Sequence, residues 1–257
     1  MTAIPYVGVT GFKSEEEIKK LSDVFLENGF SGGEYAAMLG IIVSNNRLAD
    51  INSRGNKSPP AKTLPFLLEN VPKWAIPMMH YFTDNKNKLA EEVKFLFSIG
   101  GMYDKNICKA VQLNAAWPSV DQVEEIVKKF PGIMITLQIP KFAMDGLALE
   151  EIAKRARNYE DLIKWVLIDP SGGLGIDFDL EAGANLMNAI KERMPDTTVG
   201  IAGGFYHENV EERVMKLNEK CPFRFCIDAE GKLMENHTLV IGKGKKYIEK
   251  AASALLP

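Results

Sequence analysis

Short apolar runs rich in β-branched residues alternate along this chain with longer segments whose apolar residues recur at helical spacing. Such runs, separated by crossovers of helix length, pair in parallel, because each connection must travel back across the face of the sheet. Eight units can be counted, with strands expected at 5–10, 33–43, 74–82, 109–114, 132–139, 164–168, 197–202 and 223–227. Helices are expected from Ser14, at 63–70, at 86–99, from Ser119, and at 178–193, 208–217 and 245–255. Ser14 with Glu17 three residues on is a capping box. Eight βα units in 257 residues, 46% of them hydrophobic, fit a single (β/α)8 barrel spanning 1–257. A doubly wound open sheet shares the alternation and is the competing topology.

The chain lacks the marks of several other classes. Its longest apolar runs, such as 132–140, fall far short of the roughly 20 residues that span a bilayer. Residues 1–6 lead straight into a strand without the features of a signal peptide, so a cytoplasmic protein is expected. Cys108, Cys221 and Cys226 are spaced unlike a disulfide framework or a zinc ribbon, and free thiols are expected. A net charge of −3 and a pI near 5.8 give no footprint for nucleic acid. His80, His207 and His237 lie on separate units, so no metal and no cofactor are expected, while a homodimer stays open. The basic cluster 243–246 reads as a solvated stretch before the last helix. Residues 45–62, with Arg47, Arg54, Lys57 and Lys62, make a connection long enough to act as a lid.

In such a barrel the working residues lie at the C-terminal ends of the strands. That filter selects Thr10, Arg47, His80, Gln112, Asn114, Gln138, Asp169, Gly203, Gly204, Asp228 and Gly231. Turns containing Gly172 and Gly173, Gly203 and Gly204, and Gly231 follow the last three strands, where backbone amides can approach a phosphate closely. Asp169 ends an apolar strand, and partial burial there would suit it to donate a proton. The eighth strand closes against the first, which brings Asp228 near Thr10 and nominates Asp228, or a water bound to Thr10, as the base.

Several segments resemble phosphoribosylanthranilate isomerase, a barrel enzyme that performs an Amadori rearrangement. Val9-Thr10-Gly11-Phe12-Lys13 resembles its first-strand motif, and Val111-Gln112-Leu113-Asn114 its fourth-strand Val-Gln-Leu-His. Leu167-Ile168-Asp169 with 172–179 resembles its sixth-strand pair of motifs, and Ile201-Ala202-Gly203-Gly204 followed by Glu208-Asn209-Val210 its seventh. The segments occur in the family's order. The resemblance implies that Asp169 is the general acid, that Arg47 contacts an anionic part of the substrate, and that Gly203, Gly204 and Gly231 cradle phosphate. Thr10 stands where the family has its basic cysteine, Asn114 where it has histidine, and Glu230 where it has a phosphate-binding serine, which Arg224 or Lys232 would have to offset.

The expectation is therefore a divergent isomerase or related acid–base enzyme on a sugar-phosphate-like small molecule, with His80, Gln112, Asn114 and Gln138 as substrate contacts. The alternative is a non-catalytic sugar-phosphate-binding or regulatory barrel that has lost the isomerase base. A third reading, a Schiff-base enzyme, needs Lys141 or Lys164 desolvated inside the barrel.

Overall fold

A computed structural model describes residues 2–50, 52, 57–171 and 178–256. Among them eight parallel strands close a barrel in chain order. These are β1 (Tyr6–Thr10), β2 (Ala36–Ser44), β3 (Ile76–Phe82), β4 (Ala110–Asn114), β5 (Met134–Pro140), β6 (Trp165–Asp169), β7 (Thr198–Ala202) and β8 (Cys226–Ala229). The seam is β1 on β8, with Val7 opposite Ile227 and Gly8 opposite Asp228. This is the (β/α)8 barrel expected from the alternation, and the open sheet is excluded.

The outer layer holds α1 (Glu15–Glu27), α2 (Asn45–Ala49), α3 (Leu64–Glu69), α4 (Leu89–Ser98), α5 (Val120–Lys129), α6 (Lys141–Met144), α7 (Leu149–Arg157), α8 (Leu180–Arg193), α9 (Val210–Lys220) and α10 (Ile241–Leu255). Their starts follow from capping chemistry. Ser14 accepts from the Glu17 amide while Glu17 reaches back, closing the capping box on α1. Ser119 accepts from the Gln122 amide at α5, and Asp179 from those of Glu181 and Ala182 at α8.

Strand residues divide by parity, as the pleat requires. Val7, Val9, Val111, Ile135, Val166 and Ile201 turn outward into the main core beneath the helices. Tyr6, Met38, Met78, Ala110, Trp165 and Cys226 form a separate cluster that fills the barrel interior. Two or four residues further along six of the strands the inward positions become polar: Thr10, His80, Gln112, Gln138, Asp169 and Asp228, all buried. The change from apolar to polar filling falls at the C-terminal end of the barrel, the end where barrels of this kind carry their sites.

Four expectations need correction. The eighth strand runs over Cys226–Ala229 rather than 223–227, so Asp228 sits within it. The last helix starts at Ile241, which puts the basic cluster 243–246 on the helix and not before it. The connection after β2 opens with α2 and ends in a helical turn at Ala61–Thr63. Between β5 and β6 the chain forms α6 and α7, where the pattern suggested no helix. A short hairpin after β8, Met234–Glu235 with Thr238–Leu239 (β9 and β10), was also not expected; Asn236 and His237 turn it with positive φ.

Candidate active site

The C-terminal mouth of the barrel holds a pocket whose wall includes His80, Gln112, Asn114, Gln138, Asp169, Gly203, Gly204, Asp228 and Gly231. Nine of the residues selected as strand-end candidates thus meet on one cavity. Thr10 lies just below them, buried, with its hydroxyl bonded to two wall residues. Arg47 is on α2 and is not among the described residues of the wall. Gly172 and Gly173, like Arg54 of the expected lid, lie outside the described residues.

Two hydrogen-bonded groups divide the floor. In the first, the Thr10 hydroxyl donates to the Asp228 carboxyl, 3.0 Å from Oδ1 and 3.2 Å from Oδ2, and lies 3.3 Å from His80 Nε2. His80 Nδ1 is 3.9 Å from Asp228 Oδ2. Burial pushes the Asp228 carboxyl up to about 8, the Thr10 bond pulls the other way, and the negative charges of Glu230 and Asp169 raise it further. Burial likewise pushes His80 down to about 3, which leaves its ring neutral beside that carboxyl.

In the second group, Asp169 Oδ1 accepts from the Ser171 amide at 3.1 Å and the Ser171 hydroxyl at 2.7 Å. Its Oδ2 accepts from Gln138 Nε2 at 3.0 Å, and Gln138 Oε1 accepts from Gln112 Nε2 at 2.8 Å. Three donors on one carboxylate hold it in a single orientation, directed into the mouth from the end of β6.

Glycine makes this packing possible. Gly8 and Gly40 occupy inward positions where a Cβ would stand 2.7 Å from Asp228 Oδ1 and 2.7 Å from His80 Nε2 respectively. Gly203, at φ +85° just past the end of β7, lets the chain pass over Asp169 and Ser171; a Cβ there would be 2.6 Å from Asp169 Oδ1. Its glycine is thus required by the pocket's own side chains, whatever binds above.

Other expectations change. Glu230 is paired by Lys57, at 3.2 Å, from the connection after β2. Arg224 is engaged instead with Glu34, while Lys232 lines the pocket and lies over the Tyr206 ring. Lys141 and Lys164 are both exposed, so neither is the desolvated lysine a Schiff base requires. Ser171, not among the residues selected from the sequence, is the main anchor of Asp169. The available signal was a hydroxyl residue two places after a strand-end aspartate. No cluster able to hold a metal occurs among the described residues, and no described helix is long and apolar enough to cross a membrane. The three cysteines are free and buried.

A closed parallel barrel with polar residues gathered at the C-terminal ends of its strands defines the class: a (β/α)8 barrel. Within that class the chain is similar in structure to phosphoribosyl anthranilate isomerase from Thermus thermophilus, with a TM-score of 0.64 at 16% identity over 96% of this chain and 98% of that one. The Thermotoga maritima isomerase gives 0.64 at 15% over 97% and 100%. An isomerase in complex with reduced 1-(o-carboxyphenylamino)-1-deoxyribulose 5-phosphate gives 0.63 at 14% over 97% and 100%. The likeness is one of fold, and it agrees with the resemblance carried by the strand-end motifs. No protein-family model matches the sequence, and no curated protein matches it.

Proposed function

We propose that this chain is an acid–base enzyme of the intramolecular isomerase type, acting on a small sugar-like molecule at the mouth of the barrel. The observation that carries this reading is a pair of carboxyl groups in one pocket with opposite surroundings. Asp228 is buried and keeps its proton up to about pH 8, whereas Asp169 is held by three donors that match a carboxylate. A buried carboxyl beside one held as a hydrogen-bond acceptor is an arrangement that can serve as an acid and a base in one site. This arrangement supports exchanging the roles read from the sequence: Asp228 gives a proton to the substrate's oxygen or nitrogen, and Asp169 removes one from the adjacent carbon. One proton enters and one leaves, so an isomerisation balances without a co-reactant. Thr10 then serves to hold and orient Asp228, and His80 to accept or donate one hydrogen bond as a neutral ring.

A phosphate on the substrate is supported by the 5-phosphate ligand of the isomerase complex that shares the fold. Gly204 and Gly231 on the pocket wall, with Lys232 as the cation among the described wall residues, are the groups that would meet it.

The test is turnover of a panel of aldose phosphates, ketose phosphates and glycosylamines, followed by NMR, in the wild type and in Asp228→Asn and Asp169→Asn. Each substitution is expected to lower the rate by roughly 10²-fold or more, and the wild-type rate to fall as pH rises past about 8, where Asp228 loses its proton. Unchanged turnover in both variants would reject the assignment. A second reading, a barrel that binds such molecules without converting them, is favoured by Thr10, whose hydroxyl is already engaged by Asp228 and His80. It predicts thermal stabilisation by a sugar phosphate with no product.

A further inference from the structure

The amides of Gln112 and Gln138 form a chain whose direction is set at one end. Asp169 as a carboxylate is acceptor only, and Ser171 already supplies both donors to Oδ1. The Gln138 amide must therefore turn its NH2 toward Oδ2, and it does so at 3.0 Å. Its oxygen is then left facing Gln112, which must in turn present its own NH2, at 2.8 Å. The consequence falls on the last atom of the chain. Gln112 Oε1 is buried at the pocket floor, in a residue only 3% exposed, and has no hydrogen-bond donor among the described residues. A buried acceptor without a donor is costly, and the cost disappears when a partner brings one.

We propose that Gln112 is a specificity-determining residue for ligands that present a hydrogen-bond donor, a sugar hydroxyl or an amine N–H, to its side-chain carbonyl, and that Asp169 dictates this preference through Gln138. The proposal rests on the reading of the mouth as a site for a sugar-like molecule, but it reaches beyond it by naming which end of an amide the ligand meets. Without the carboxylate, nothing would stop both amides from turning over, and Gln112 would then offer N–H to an acceptor. Asp169 thus acts twice: directly on the substrate, and as the positioning group for the subsite on β4.

Two measurements test this. The first needs no ligand: a neutron structure of the free protein locates the amide hydrogens directly. The hydrogens are expected on Gln112 Nε2 toward Gln138 and on Gln138 Nε2 toward Asp169. A reversed chain, or a donor from His80 or Asn114 seated on Gln112 Oε1, would overturn the proposal. The second uses ribose 5-phosphate, ribulose 5-phosphate and their singly O-methylated analogues as probes in calorimetry. At one position the wild type is expected to prefer hydroxyl over methoxy by about tenfold. Gln112→Leu should reduce that ratio to within about twofold, and Gln138→Met, which unlinks Gln112 from Asp169, should shrink it while leaving binding measurable. A ratio that survives in Gln112→Leu, or is absent from the wild type at every position, counts against the proposal. If none of the sugar phosphates binds, the functional reading fails, and the hydrogen positions still decide the amide chain.

Discussion

At Gly203 the backbone takes a φ of +85°, and an added Cβ would stand 2.6 Å from Asp169 Oδ1. At Gly231 φ is not in the left-handed region and nothing lies within 4 Å of an added Cβ. The two glycines were selected by the same argument from the sequence, as backbone that approaches a phosphate, yet the structure gives them different reasons to be glycine. Gly203→Ala is expected to cost about 1–3 kcal/mol of stability, through the unfavourable φ and the displaced carboxylate. Gly231→Ala should stay within about 0.5 kcal/mol of the wild type, since it meets neither strain nor a neighbour. Urea unfolding of both variants checks this. A loss of sugar-phosphate affinity in Gly231→Ala without a loss of stability would support a phosphate contact there. Equal stability of the two variants would contradict the steric account of Gly203.

Helix α1 starts where its capping box requires: Ser14 and Glu17 satisfy each other's backbone amides, and both ends of that bond are printed in four consecutive letters. Ser14→Ala is expected to lower stability by about 1 kcal/mol, read as a shift of the urea midpoint with an unchanged slope. Elements with such local signals were legible. Helix α7 was not, because its buried stripe consists of Ile152 and two alanines, too weak an apolar signal among charged neighbours, and Ala148 gives no side-chain cap. Strand β8 was displaced for another reason. Phe223 and Phe225 extend the apolar run toward the N-terminus, but pairing with β7 begins at Cys226, opposite Gly200. Register with neighbours, which a single strand does not display, therefore decides that Asp228 lies inside the ladder and is buried. The hairpin of β9 and β10 escaped notice because Asn-His, without glycine, is a faint mark for a turn that needs two positive φ values.

The closed barrel makes two buried groups pull stability in opposite directions as pH changes. Asp228 keeps its proton to about 8 in the fold but releases it near 3.8 in the unfolded chain. Between those values the folded state binds one proton more, so this group's contribution to stability falls as pH rises. His80 is pushed from 6.5 to about 3 and stays neutral in the fold while the unfolded chain takes up a proton, so its contribution falls as pH drops below 6.5. The two slopes offset between about 3.8 and 6.5. From 6.5 to about 8 only Asp228 acts, at about 1.4 kcal/mol per pH unit. Asp228→Asn should therefore flatten the decline in unfolding free energy between pH 6.5 and 8 and be the more stable protein at the upper end. Parallel pH curves for the two proteins would show that the buried proton is not there. The sequence by itself determined the barrel and most of the residues gathered at its C-terminal mouth, because strand alternation and strand-end position are written in local pattern. Only the tertiary structure decided which carboxyl is buried against Thr10 and His80 and which is held by Ser171 and Gln138. Those depend on burial and on partners such as Thr10, which meets Asp228 across 218 residues of chain, and no local pattern records a neighbour that distant.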